Sequence, residues 1–238
     1  VIFGLAIDNG YGQPWNADQR ISQEMPETDL PTRERILSVA QHLFAAHGFA
    51  GLTLRKIAAG AQVPVGSIAY HFGSKEGLYR AIWEKWMGKA QATNFLAQAG
   101  LSEDLTPEDG LRRVVDAFFA GPRLILQEEE GQSFIAIMIR EANDPHQASR
   151  GLIATFVIPN SRAIHAALAQ LMPDLSEERF AVGFQMTVSA LRVIIEQDLL
   201  PAPLRERAPR DVDRLFSIIV EYVVSGWLGL LAARDRFE

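Results

Sequence analysis

Cysteine is absent from the 238 residues. Its absence excludes disulfides, thiolate metal sites and cysteine nucleophiles, and suits a reducing cytoplasm, the expected location. Histidine is scarce: His42, His47, His71, His146 and His165 are scattered, and no acidic or histidine cluster has metal-ligand spacing. No glycine-rich phosphate loop, HExxH or GxSxG occurs. These gaps argue against an enzyme and against a metal or cofactor. Long apolar runs are rare. VIFGLAI at the start is seven residues followed by Asp8, too short to span a membrane and without the basic stretch of a signal peptide. Residues 1–30 lack periodicity and are expected to form a flexible arm. The other run, Leu215–Ala233, holds nineteen residues and one charge, Glu221. That length suits a membrane span. A glutamate near its centre would cost about 2.5–3.5 kcal/mol there, and arginines flank both ends. A helix buried on two faces is the better reading, and no membrane partner is expected.

Positive charge is also short, with a net charge of −6, yet its placement is uneven. Residues 31–90 carry eight Lys or Arg against three Asp or Glu. Residues 1–30 carry one against five, and residues 91–238 fourteen against twenty-one. A basic patch in an acidic chain is a local footprint for phosphate.

That patch surrounds TLRKIAAGAQVPVGSIAYHFGSK, residues 53–75. Leu54, Ile57, Ala58 and Ala61 recur at helical spacing over Leu54–Ala61, with Thr53 placed as an N-cap. A second short helix over about Val65–Phe72 has Ile68 and Phe72 on one side. Two helices this short need a third to bury a core. Thr32–His47 supplies it, entered at Pro31-Thr32 and stopped by Gly48, with Ile36, Val39, Ala40, Leu43, Phe44 and His47 as its apolar stripe. Phe49 is expected to plug the same core, and His47 to be a core-edge histidine. The arrangement is a helix-turn-helix, whose second helix can enter a DNA major groove. Ser74 caps the next helix, expected from Lys75 to about Ala97, with Glu76 in its first turn.

The remainder reads as helix throughout: Thr106 to about Gln127 with Pro122 as a kink, Ser133–Ala142, a long helix from Asp144-Pro145 to about Leu171 interrupted at Pro159, Ser176 to Leu200, and Asp211–Ala233. Glu128–Glu130 is expected as a solvated turn and PAPLRERAPR as a linker. No repeat is present. The fold class is therefore all-α. An N-terminal three-helix DNA-binding domain over 31–85 precedes a larger helical bundle over 86–238.

The blocks RERILSVAQHLFAAHGFAGLTLRKIA and VPVGSIAYHFGSKEGLYRAI, in that order and separation, resemble the N-terminal domain of the TetR family of bacterial transcriptional regulators. The likeness covers about a quarter of the chain. Two positions depart from the family: Gln62 stands where a turn glycine is usual, and Pro64 where the recognition helix often has a Ser or Thr cap. The resemblance implies DNA contacts by Thr53, Arg55, Val65, Gly66, Ser67, Tyr70, His71 and Lys75. Of these, Val65 suits a thymine methyl, Gly66 permits close approach, and Tyr70, His71 and Lys75 can donate to phosphate.

The family pairs its last two helices with their copies in a dimer. Here Phe180, Phe184, Val188, Leu191 and Ile195 have the spacing for it, as do Phe216, Val223 and Trp227, with Gly226 and Gly229 allowing close approach. The family also binds an effector in its C-terminal cavity. The candidates are Phe118, Phe119, Phe134, Met138, Arg140 and Phe156, with Ile137, Val157, Glu141 and His146 nearby. The segment REANDPHQ from Arg140 resembles a CecR-like subgroup. The expected function is a dimeric repressor on a palindromic operator, released by a small molecule. The alternatives are a DNA-binding activator without an effector, or a small-molecule binder with a vestigial reading head.

Overall fold

The computed structural model describes residues 30–92, 95–102, 104–194, 201–209 and 211–233, and every regular element among them is helical. The arm expected over residues 1–30 lies, apart from Leu30, outside the described residues. The first helices follow the sequence pattern closely. They are α1, Thr32–His47, α2, Leu54–Gly60, and α3, Val65–Phe72. Gly48 closes α1 at φ 70°, its N–H donating to the Phe44 carbonyl. Thr53 caps α2 through its hydroxyl, which accepts from Lys56 N at 3.3 Å. Ser74 caps α4, Lys75–Ala92, by accepting from Gly77 N at 3.1 Å.

The middle helices are more broken than their periodicity suggests. The single helix expected to Ala97 divides into α4 and a one-turn α5, Phe95–Gln98. Between them stand Thr93 and Asn94, weak helix formers that lie outside the described residues. Next come α6, Pro107–Leu126, capped by Thr106, and α7, Gly131–Ala142. The long helix expected from Asp144 resolves into α8, Gln147–Arg150, a π turn over Ile153–Val157, and α9, Ile158–Leu171. Gly151 ends α8 in the left-handed region, and Pro159 restarts the helix in its first turn. α10, Glu177–Ser189, tightens into a 3₁₀ stretch over Ala190–Ile194 instead of running to Leu200, and residues 195–200 lie outside the described residues. The proline- and arginine-rich linker holds one helical turn, α11, Ala202–Arg205. The chain's last helix, α12, Val212–Ala232, is capped by Asp211.

Packing sorts these helices into two compact units. One contains the described residues up to Gly88 together with Glu128–Ile153; the other contains Lys89–Gln127 and the described residues from Ala154 onward. Segment 128–153 thus packs with the block expected over 31–85. It explains why α1 is buried on more than its predicted stripe, with Leu37, Gln41 and Ala45 enclosed as well. Gln41 is fully buried and fully used. Its amide donates to the Glu130 carbonyl at 2.7 Å and to Ser133 Oγ at 2.8 Å, and accepts from Trp86 Nε1 at 2.6 Å. A buried amide stabilises only when its partners are met. Phe134 lies edge-on to Trp83 at 5.4 Å and stacks on Trp86 at 5.8 Å.

The second unit is built on α6 against α12. Phe119 meets Phe216 at 5.9 Å, and Trp227 donates to Thr187 Oγ1 at 3.0 Å. Gly183 lets α10 and α12 approach, since a Cβ there would stand 2.7 Å from the Trp227 ring. Among the described residues α12 has the length and hydropathy of a membrane span. One of its stripes, Leu215, Phe216, Ile219, Val220, Val223, Val224 and Trp227, is buried within the unit.

Candidate nucleic-acid interface

The turn between α2 and α3 is tight, and Gln62 takes it at φ 53°. A side chain in that region costs about 1 kcal/mol relative to glycine, offset here by Val63 N donating to the Ala58 carbonyl at 3.0 Å. Pro64 starts α3 without a side-chain cap, as its missing hydroxyl requires. α3 buries only Ile68; its other side is open. Val65 is 42% exposed and Tyr70 85%. Gly66 is exposed and a Cβ there would meet nothing within 4 Å. Ser67 and His71 are half-buried, and the His71 ring lies edge-on to Tyr70 at 5.0 Å. Thr53 and Arg55 are exposed.

An 85%-exposed tyrosine is not a core residue, so Tyr70 is available to a partner. The same unit carries Arg55 and Lys56 on α2 and Arg33 on α1, whose guanidinium lies 5.1 Å from the Phe72 ring at the end of α3. His47 is the core-edge residue expected, and its Nε2 is 2.7 Å from Lys56 Nζ. An exposed apolar and aromatic face in a segment with an excess of basic residues suits the edge of a nucleic acid.

Lys75 is less free than a lysine that only awaits phosphate. It is half-buried, and its ammonium sits 4.3 Å from the centre of the Phe49 ring. Burial pulls its pKa down, Glu76 pulls it up, and Arg150 pulls it down again. Phe49 packs on Phe44 at 5.9 Å and Tyr79 at 5.0 Å. Arg150 also lies over the Phe49 ring, at 4.9 Å.

Arg150 belongs to a buried polar group that the sequence did not single out. Its Nε donates to both oxygens of Glu141 at 2.9 and 3.0 Å, and its Nη2 to Asp144 at 2.6 Å. Tyr79 donates to Glu141 at 3.2 Å. Burial, then the Glu141 carboxylate, pushes the Tyr79 phenol upward. In the sequence only the segment REANDPHQ hints at this cluster, with Arg140 and Glu141 open to either an effector cavity or a structural role. Glu141 is instead enclosed in the first unit, while Arg140 is exposed.

Glu130 is a second departure, being no solvated turn residue. It accepts from Lys85 at 2.5 Å and from Ser38. Burial pushes its carboxyl up, but these two donors together outweigh that and hold it below its ordinary value. A cleft of about 650 Å³ opens beside it, lined by Arg33, Leu37, His42, Glu84 and Lys85 among others.

None of the six residues proposed for an effector cavity lines that cleft. They divide between the units. Phe134, Met138 and Arg140 lie in the first, where Phe134 is core; Phe118, Phe119 and Phe156 lie in the second. Of the residues expected at a dimer interface, Phe216, Val223, Trp227 and Leu191 are buried within their own unit, and Phe184 is half-buried against His165. Val188 is exposed, and Ile195 lies outside the described residues. The outward face of the same helices carries Val182, Met186, Val193, Ile218 and Tyr222, from 47% to 79% exposed. α12 is apolar on two sides, so period alone could not tell its inward stripe from its outward one.

Comparison with known proteins places these features. Two family profiles match the chain: bacterial regulatory proteins of the tetR family over residues 36–82, and the tetracyclin repressor-like C-terminal domain over residues 116–226. The chain is similar to the HTH-type transcriptional repressor AcnR of Corynebacterium glutamicum, 35% identical over 77 residues, which is 32% of this chain and 40% of that protein. It spans less than half the length of the curated relatives it matches first. Solved structures share its fold, among them the following two. PfmR, a TetR family transcriptional regulator from Thermus thermophilus, matches 82% of this chain and 94% of its own, with a TM-score of 0.53 and 20% identity. FadR from Bacillus subtilis, solved in complex with stearoyl-CoA, matches 81% of this chain and 98% of its own, with a TM-score of 0.53 and 18% identity.

Proposed function

Because the chain belongs to the TetR family of bacterial regulatory proteins, we propose that it binds a near-palindromic operator as a homodimer and represses until a small molecule releases it. It is a DNA-binding transcription regulator, acting by binding and not by turnover, in the cytoplasm. The observation that carries the reading is α3: one buried isoleucine and an open face bearing Val65, Gly66 and an 85%-exposed Tyr70. That face enters the major groove. Tyr70, His71, Thr53 and Arg55 fix it on the phosphates, and Val65 and Ser67 meet base edges.

A two-fold operator needs a two-fold protein. The outward stripe of α10 and α12 suits self-pairing, being apolar at Val182, Met186, Ile218 and Tyr222 and small at Ser225, Gly226 and Gly229. Effector control draws support from FadR, whose structure holds stearoyl-CoA. α4 begins in the first unit and its last turn belongs to the second, so it is the element through which an effector would alter the spacing of two reading heads. Control requires that the effector bind the DNA-competent and incompetent states unequally.

The test is selection from random duplex DNA at fixed salt, with Tyr70→Ala beside the wild type. An enriched palindrome weakened by the substitution is expected. Retention without any enriched sequence would leave only charge-driven binding and overturn the reading.

A further inference from the structure

We infer that Arg150 is a positioning residue for the Lys75 phosphate contact: anchored by Glu141 and Asp144, its guanidinium shares the Phe49 ring with the Lys75 ammonium and leaves that ammonium free to move to DNA. The inference rests on the reading above that α3 meets a duplex, and on the Lys75 contact that the family resemblance implies. Two cations lie within 5 Å of one ring centre, Lys75 at 4.3 Å and Arg150 at 4.9 Å. An aromatic ring attracts a cation modestly, and the charge of Arg150 acts against that of Lys75.

The two cations are not held alike. Arg150 makes three carboxylate contacts between 2.6 and 3.0 Å, and its side chain is 10% exposed. Lys75 has no ion pair within 4 Å among the described residues. It is also the first residue of α4, where the helix dipole disfavours a positive charge. The planar, weakly hydrated guanidinium suits an enclosed aromatic site, and the compact ammonium suits water or phosphate. Arg150 therefore stays on the ring and Lys75 leaves it when a phosphate offers a full negative charge. The lowered pKa of Lys75, to which Arg150 contributes after burial and Glu76, agrees with an ammonium crowded where it rests.

This gives segment 128–153 a role in DNA binding although none of it is in the helix-turn-helix. Moving Arg150 off Phe49 would let the ring keep Lys75 to itself and weaken the grip on DNA.

The test measures affinity against salt on a duplex enriched by the wild-type chain, using full-length protein. Four proteins are compared: wild type, Lys75→Ala, the volume-matched pair Glu141→Leu/Arg150→Met, and the triple variant. Replacing a buried ion pair whole by apolar residues is often neutral for folding, unlike removing one partner. Lys75→Ala should lose roughly two- to fivefold and flatten the salt slope by about one. The paired variant should do nearly the same, and the triple variant no worse than Lys75→Ala alone. A paired variant that unfolds like the wild type and binds like it overturns the inference, as do losses that simply add in the triple variant. Should the pair fail to fold, Arg150→Lys keeps a cation for Glu141 but withdraws the planar group from Phe49. It should weaken binding in the wild type and not in Lys75→Ala, and equal effects in both would overturn the inference. If no duplex is enriched at all, it is the DNA reading itself that fails, and the role of Arg150 with it.

Discussion

Two faces of this chain leave large apolar or aromatic side chains in water, and they differ in what surrounds them. On α3, Tyr70 and Val65 belong to a unit that carries Arg33, Arg55, Lys56 and Lys75, in the segment where basic residues outnumber acidic ones. On α10 and α12, Met186, Val182, Ile218 and Tyr222 have Glu221 for company and small residues between them. Exposure alone says only that a partner is missing. The charge around it says which kind: a polyanion for the first face, an apolar surface of the same sort for the second. The net charge of −6 hides this, because the acidic residues lie mostly outside the reading head.

The comparison breaks most visibly on α12, where neighbouring positions face opposite ways. Trp227→Ala removes a buried ring and a hydrogen bond to Thr187. It should cost about 3–5 kcal/mol in denaturant unfolding. Met186→Glu with Tyr222→Glu alters only the outward face. The double variant should keep helix content but sediment as a monomer and lose roughly a hundredfold in operator affinity, because each symmetric contact places four carboxylates in an apolar seam. If it stays dimeric, the self-pairing face lies elsewhere.

Smaller effects sharpen the account of the reading unit. Tyr70→Ala should leave the unfolding midpoint unchanged and weaken operator binding by about 1 kcal/mol, roughly fivefold, as read by a gel or anisotropy titration. Glu130 governs acid sensitivity. Its folded pKa lies below its ordinary value of 4.5. Its stabilisation is therefore present above about pH 4.5 and lost as pH falls through the lower folded value. Glu130→Gln should cost on the order of 1 kcal/mol at neutral pH and less as acid is added, measured as the unfolding midpoint against pH. Gln62→Gly should stabilise by up to about 1 kcal/mol, since the residue sits at φ 53°. A loss of stability on thermal melting would mean that the Gln62 side chain makes up for its backbone.

What could be read in the sequence was local. The bounds of α1 and α3, the caps at Thr53, Ser74 and Ser176, and the strained turn residue at Gln62 each depend on neighbours a few positions away. The partners of Glu130 and Glu141 were not legible because they are distant in the chain. Gln41 bonds to a residue 89 positions on, and Tyr79 to one 62 positions on. Nothing in a run of three glutamates announces a lysine waiting 45 residues upstream. The inward stripe of α12 was taken for its outward one because a helix apolar all round carries no phase in its periodicity.

The most direct test of two faces with two partners is a salt titration of both equilibria on one preparation. DNA affinity and self-association would be measured between about 50 and 200 mM salt, the range over which phosphate contacts weaken steeply. DNA binding should fall along a straight log–log line while the dimer holds its affinity or gains. A dimer that dissociates in parallel with the DNA complex, or DNA binding indifferent to salt, would contradict the account.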